Sequence, residues 1–92
     1  MEGLKAYRVR VLGTVQGVFF RKYTQEKASE LKLGGTVENL NDGSVLIIAE
    51  GKEEKVKELL EWCWQGSPAS NVKDVKYEEI KSSGYDSFII KR

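Results

Sequence analysis

The hydrophobic period of this 92-residue chain switches between two and about 3.6, then back, and does so twice. "AYRVRV" (6–11) alternates, with Tyr7, Val9 and Val11 on one face and Arg8 and Arg10 on the other, as in a half-buried strand. Gly13 and Gly17 interrupt it. From Phe20 onward, Phe20, Tyr23, Thr24, Ala28 and Leu31 fall on one helical stripe, and "LGG" (33–35) reads as its stop. "TVENL" (36–40) and "SVLIIAE" (44–50) read as strands. Between them "NDG" (41–43) supplies the residues that tolerate positive φ in a tight turn. "KEEKVKELLEWCWQ" (52–65) is a second helix with Val56, Leu59, Leu60 and Cys63 inward. Trp64 flanks that stripe, while Trp62 projects about 100° from its centre, onto solvent or another surface. "GSPAS" (66–70) is a loop, and "NVKDVKYEEI" (71–80) is a strand with Val75 and Tyr77 on one face. "SFIIK" (87–91) closes the chain with Phe88 and Ile90 on one side.

The order β-α-β-β-α-β, with the last short segment a candidate fifth strand, predicts an α+β fold of the ferredoxin-like kind. Its two helices lie on one face of an antiparallel sheet. The second strand is expected beside the first and antiparallel to it. The length suits one domain over residues 1–92. A net charge of +1 gives no general pull toward nucleic acid or anionic lipid, so charge-based function must come from local clustering. No apolar run reaches the roughly 20 residues of a membrane span, and the start lacks the apolar core of a secretory signal. One cysteine, Cys63, allows no internal disulfide, so a cytoplasmic setting is expected. There is no histidine, which removes imidazole general bases and the usual metal ligand; no metal and no cofactor are expected.

The stretch "GTVQGVFFRK" (13–22) joins the first strand to the first helix. A glycine-rich turn there lets successive backbone N–H groups converge on an anion, backed by the positive end of the helix. Arg21, in the first helical turn, adds a planar fork that holds two phosphate oxygens at once. Equally, the spacing fits a strand-to-helix turn that needs glycine for sterics, with Arg21 on a solvated face. The spacings of a Walker loop and of a dinucleotide fingerprint are absent. Asn39 shares parity with Val37 and so faces the helix-covered side, although turn-flanking asparagines are ordinary.

These residues resemble the acylphosphatase family. "GTVQGVFFR" is similar to its Gly-x-Val-Gln-Gly-Val-x-Phe-Arg signature. "GTVENLNDGSVLIIAEG" (35–51) follows its Gly-aromatic-Val-x-Asn-x-x-x-Gly-x-Val-x5-Gly signature at all but one position, and "QGSPASNV" (65–72) and "GYDSFIIK" also look like that family's later segments. The resemblance covers nearly the whole chain in order. It implies hydrolysis of small acyl phosphates to carboxylate and inorganic phosphate, the latter also a competitive inhibitor. Carried over, it makes the backbone of Gln16, Gly17, Val18, Phe19 and Phe20 a phosphate cradle with Val15 at its entry, Arg21 the catalytic arginine, and Asn39 the residue that orients the attacking water. It implies a monomer acting without cofactor, metal, nucleic acid or membrane.

Three positions depart from the family pattern: Thr36 replaces an aromatic, Glu38 a neutral or basic residue, and Phe19 a common glycine. Parity turns Glu38 away from Asn39, and Phe19 is expected to narrow the pocket mouth. The rival is a non-catalytic ferredoxin-like module that binds or senses an anion. RNA binding through Arg8 and Arg10 is disfavoured, because the sheet offers no exposed aromatic pair on which bases would stack and Tyr7 faces the core.

Overall fold

β3 (Val45–Lys52) lies at the centre of a five-stranded sheet, and its alternating Val45, Ile47 and Ala49 are completely buried. The computed structural model describes residues 4–91. The elements run β1 (Leu4–Thr14), α1 (Phe20–Glu30), β2 (Gly34–Asn39), β3, α2 (Glu53–Gln65), β4 (Asn71–Ile80) and β5 (Phe88–Ile90). The strand order is β4-β1-β3-β2-β5, with β2 and β5 parallel and every other pair antiparallel. This is the ferredoxin-like α+β arrangement expected from the periods.

The second strand is not beside the first. β3 separates them, pairing Val9 with Ile47 on one side and Val37 with Ile47 on the other. Since β1 and β2 are both antiparallel to β3, they are parallel to each other. Parallel strands joined through a helix leave a slot between them, and the tight 40–44 hairpin returns β3 into it. The hairpin closes with Leu40 N–H donating to the Ser44 carbonyl at 2.9 Å, and Gly43 sits at φ 93°.

Val9, Val11, Val37, Val45 and Ile47 from the sheet meet Phe20, Thr24 and Ala28 from α1, and Val56, Leu59 and Cys63 from α2. Of the two surroundings expected for Trp62, solvent or another surface, the structure shows the second. Trp62 packs against Phe20, ring centroids 5.5 Å apart, because the seam between the two helices widens the apolar stripe of α2. Trp64, expected at the stripe's flank, is 53% exposed. Tyr23 also lies outward, since α1 buries only the narrow 20–24–28 row.

The helix stop also differs from the expectation. α1 ends not on glycine but on Lys32, at φ 60°. Lys32 N–H donates to the Ser29 carbonyl at 3.0 Å and Leu33 N–H to the Ala28 carbonyl at 2.9 Å, the paired bonds of a Schellman closure. Gly34 and Gly35 belong to β2 instead.

Candidate active site

The β1–α1 loop, the first turn of α1, the end of β2 and the end of β5 meet at one end of the sheet. They enclose a cleft of about 530 Å³, within the usual range of small-molecule sites. Its walls carry Val15, Gly17, Phe19, Phe20, Arg21 and Asn39, so the structure gathers the sequence-predicted residues around one cavity. Gln16 and Val18 belong to the same loop without lining the cleft.

The loop's shape follows from two glycines and two braces. At Gly13 the β1–β4 ladder slips register, and a Cβ there would lie 2.2 Å from the Asn71 carbonyl oxygen. At Gly17 the demand is conformational: φ is 72°, yet a Cβ would meet nothing within 4 Å. Phe19, two residues on, is also left-handed, at φ 60° and ψ 22°. Left-handed residues spaced this way curl the backbone into a nest. Gln16 braces the loop from one side, its Nε2 donating to the carbonyls of Leu40 at 2.7 Å and Ser44 at 2.8 Å. Ser67 braces it from the other. Its hydroxyl, on a residue 3% exposed, donates to the Val18 carbonyl at 2.9 Å. That carbonyl and the Phe19 N–H share one trans peptide and point oppositely, so Ser67 aims the amide outward. The 66–70 segment is thus a support of the cradle rather than a plain loop.

The cradle's donors are free. Among the described residues, none of the amides of Gln16, Gly17, Val18, Phe19 and Phe20 donates to a backbone carbonyl. Phe19 is the N-cap of α1 and makes no side-chain cap bond, where a serine or aspartate would occupy the first-turn amides. The first turn of α1 holds no acidic residue, so the positive helix end faces the cleft uncompensated. The conformation costs about 1–2 kcal/mol at Phe19, as for any L-residue held left-handed.

Arg21 stands half-buried in the same turn and spends one Nη1 donor on the Lys91 carbonyl, at 3.2 Å. That contact steadies the guanidinium and leaves the rest of its fork for a ligand. Asn39 is exposed on the cleft wall, at the position of β2 that pairs with Val45. Glu38 points the other way, 3.5 Å from the Lys91 ammonium, as its parity predicted. Asp42, in the neighbouring hairpin, accepts from the hydroxyl and amide of Ser44 and from Arg10. The Ser44 bonds first, then the nearby guanidinium, hold its carboxyl below the usual carboxylate range.

Lys22, Gln25 and Ile90 also line the cleft and were not expected there. Gln25 Nε2 donates to the Phe88 carbonyl at 3.0 Å, fixing β5 against α1. Lys22 and Gln25 lie off the apolar stripe, which is the signal that hid them. Ile90 arrives only because β5 pairs in parallel with β2, with Val37 opposite Ile90. Cys63 is fully buried, and its burial pushes the thiol up to about 12.

An anion cradle beside an arginine and an amide suits phosphoryl chemistry. The pattern that defines the acylphosphatase family matches residues 7–90. The chain belongs to the acylphosphatase family. An acylphosphatase of Shewanella amazonensis is 49% identical over 71 residues, 77% of this chain and 78% of that one. The solved acylphosphatase of Coxiella burnetii is 40% identical at a TM-score of 0.95, covering 98% of this chain and 95% of its own. That of Bacillus subtilis is 42% identical at a TM-score of 0.92, covering 97% and 99%. Family and fold together make this an acylphosphatase enzyme, a hydrolase with acyl phosphates as substrates and phosphate as product. No helix among the described residues is long and apolar enough to cross a membrane.

Proposed function

We propose that the cleft hydrolyses small acyl phosphates through the residues gathered there, each with a separate role. The phosphoryl group lies in the nest, held by the amides of residues 16–20 and by the helix end behind them. Arg21 grips two of its oxygens. Asn39 holds a water in line with the bond to be broken. The water oxygen bonds to phosphorus, the bond to the carboxylate oxygen breaks, and its electron pair leaves with the carboxylate. The water's proton passes to a phosphoryl oxygen.

Such a leaving group is already good, so positioning and charge stabilisation suffice without a general acid. The reading is supported by one observation: loop amides that donate to no backbone carbonyl belong to the loop that lines, through Gly17 and Phe19, the same cleft as Arg21 and Asn39. We assign the activity to a monomer in the cytoplasm, acting without metal or cofactor; a single buried, unpaired cysteine supports the reducing setting.

The test is loss of ultraviolet absorbance from benzoyl phosphate with purified protein and excess EDTA. Steady turnover is expected. Phosphate binding at residues 15–21, read from amide shifts, without any turnover would replace this reading by the anion-sensing module.

A further inference from the structure

Phe19 is doubly unsuited to its position. It holds the left-handed conformation that glycine adopts freely, and it caps a helix without a capping oxygen. The residue is 73% exposed, so core burial does not offset the strain. A bulky residue kept in a sparsely populated backbone region points to a use at that place. The place is the wall of the cleft. Val15 and Phe20 also line the cleft, but both are 1% exposed and serve the core. Phe19 and half-buried Ile90 are the wall residues that keep free apolar surface.

We propose that Phe19 determines specificity, its ring forming the apolar wall that receives the acyl substituent and selecting aromatic over short acyl groups. The inference rests on the reading that the phosphoryl group sits in the nest. That nest includes the backbone of Phe19, so a seated phosphoryl leaves its substituent beside this ring. An aromatic acyl group would meet it in offset or edge-to-face packing, while an acetyl group offers one methyl. Discrimination by a single apolar contact is modest, on the order of tenfold.

The experiment measures kcat/KM for benzoyl phosphate and for acetyl phosphate with the wild type, Phe19→Gly, Phe19→Leu and Phe19→Tyr. The quantity read is the ratio between the two substrates. Both present the same phosphoryl group, so any change in the loop backbone cancels, and so does the intrinsic difference in leaving group. The benzoyl-to-acetyl ratio is expected to fall about tenfold in Phe19→Gly, to fall by less in Phe19→Leu, and to stay within about twofold in Phe19→Tyr. A ratio unmoved in Phe19→Gly, with an active wild type, overturns this inference and leaves the proposed reaction standing. A wild type that turns over neither substrate overturns both.

Discussion

The side chain of Gln16 is bonded to the carbonyl of Leu40 at 2.7 Å, and the same nitrogen reaches the Ser44 carbonyl at 2.8 Å. One carboxamide therefore couples the phosphate cradle to the hairpin that follows Asn39. The two halves of the proposed machinery, the nest and the water-holding amide, are set relative to each other by this strut.

Gln16→Ala is therefore expected to act on turnover more than on anion binding. Both carbonyls keep a backbone donor, from Gly43 and Leu40 respectively, so the loss of stability should be limited to about 1–2 kcal/mol. Turnover should fall on the order of tenfold, as a shift in a positioned group produces. Gln16→Glu should do at least as much harm, because an ionised carboxylate sets acceptors against acceptors. The check is kcat on benzoyl phosphate beside the phosphate inhibition constant. A greater loss in phosphate binding than in kcat would show that the strut shapes the nest alone.

The alternations around Val9 and Ile47 and the stripes of both helices were plain in the sequence, because each is a local period. The motif around Arg21 was plain for a different reason: it is contiguous. What stayed hidden was set by distant pairing. Ser67 reaches Val18 across 49 residues, and Lys91 offers its carbonyl to Arg21 across 70. Neither contact leaves a periodic trace. Parity places Asn39 and Glu38 on opposite faces correctly, but it carries no information on which strand is the neighbour, and so it does not distinguish β1 from β3 as the partner of β2.

Lys32 stands at the left-handed residue of the α1 closure, where glycine is the usual occupant. Lys32→Gly removes the Cβ strain of about 1–2 kcal/mol and adds some entropy to the unfolded chain. A net gain of about 0.5–1 kcal/mol is expected, seen as a higher urea midpoint with an unchanged slope. Activity should not change, because the closure lies outside the cleft. A lower midpoint would mean that the lysine side chain contributes more than its backbone costs.

The Cys63 thiol should be silent while the protein is folded. It is completely buried, and burial raises it from an ordinary 9.0 to about 12. The folded state therefore favours the neutral form. Nothing is lost below the unfolded value; above it the unfolded chain ionises first, and stability drops as pH rises toward the folded value. Compared with Cys63→Ala, the wild type should lose up to about 1.4 kcal/mol more for each pH unit in that window. Ellman's reagent should react only at the rate of unfolding. Prompt labelling of the native protein at neutral pH would contradict the burial.

Arg21 and Asn39 should fail in different ways. A charge-assisted bidentate contact to phosphate is stronger than a neutral hydrogen bond, and Arg21 brings to the cleft a guanidinium with one donor committed, to the Lys91 carbonyl. Arg21→Gln should abolish measurable turnover and weaken phosphate inhibition together. The fold should survive, since the residue is half-exposed at a helix start. Asn39 carries no charge to hold a dianion. Asn39→Ala should cut kcat by roughly 10²–10³, about 3–4 kcal/mol, the loss typical of one preorganised polar group. Phosphate inhibition should stay nearly unchanged. The comparison requires kcat and the phosphate inhibition constant for each variant, after circular dichroism has verified folding. Parallel loss of phosphate binding in both variants would refute the division of roles, and full activity in Asn39→Ala would remove that residue from the mechanism.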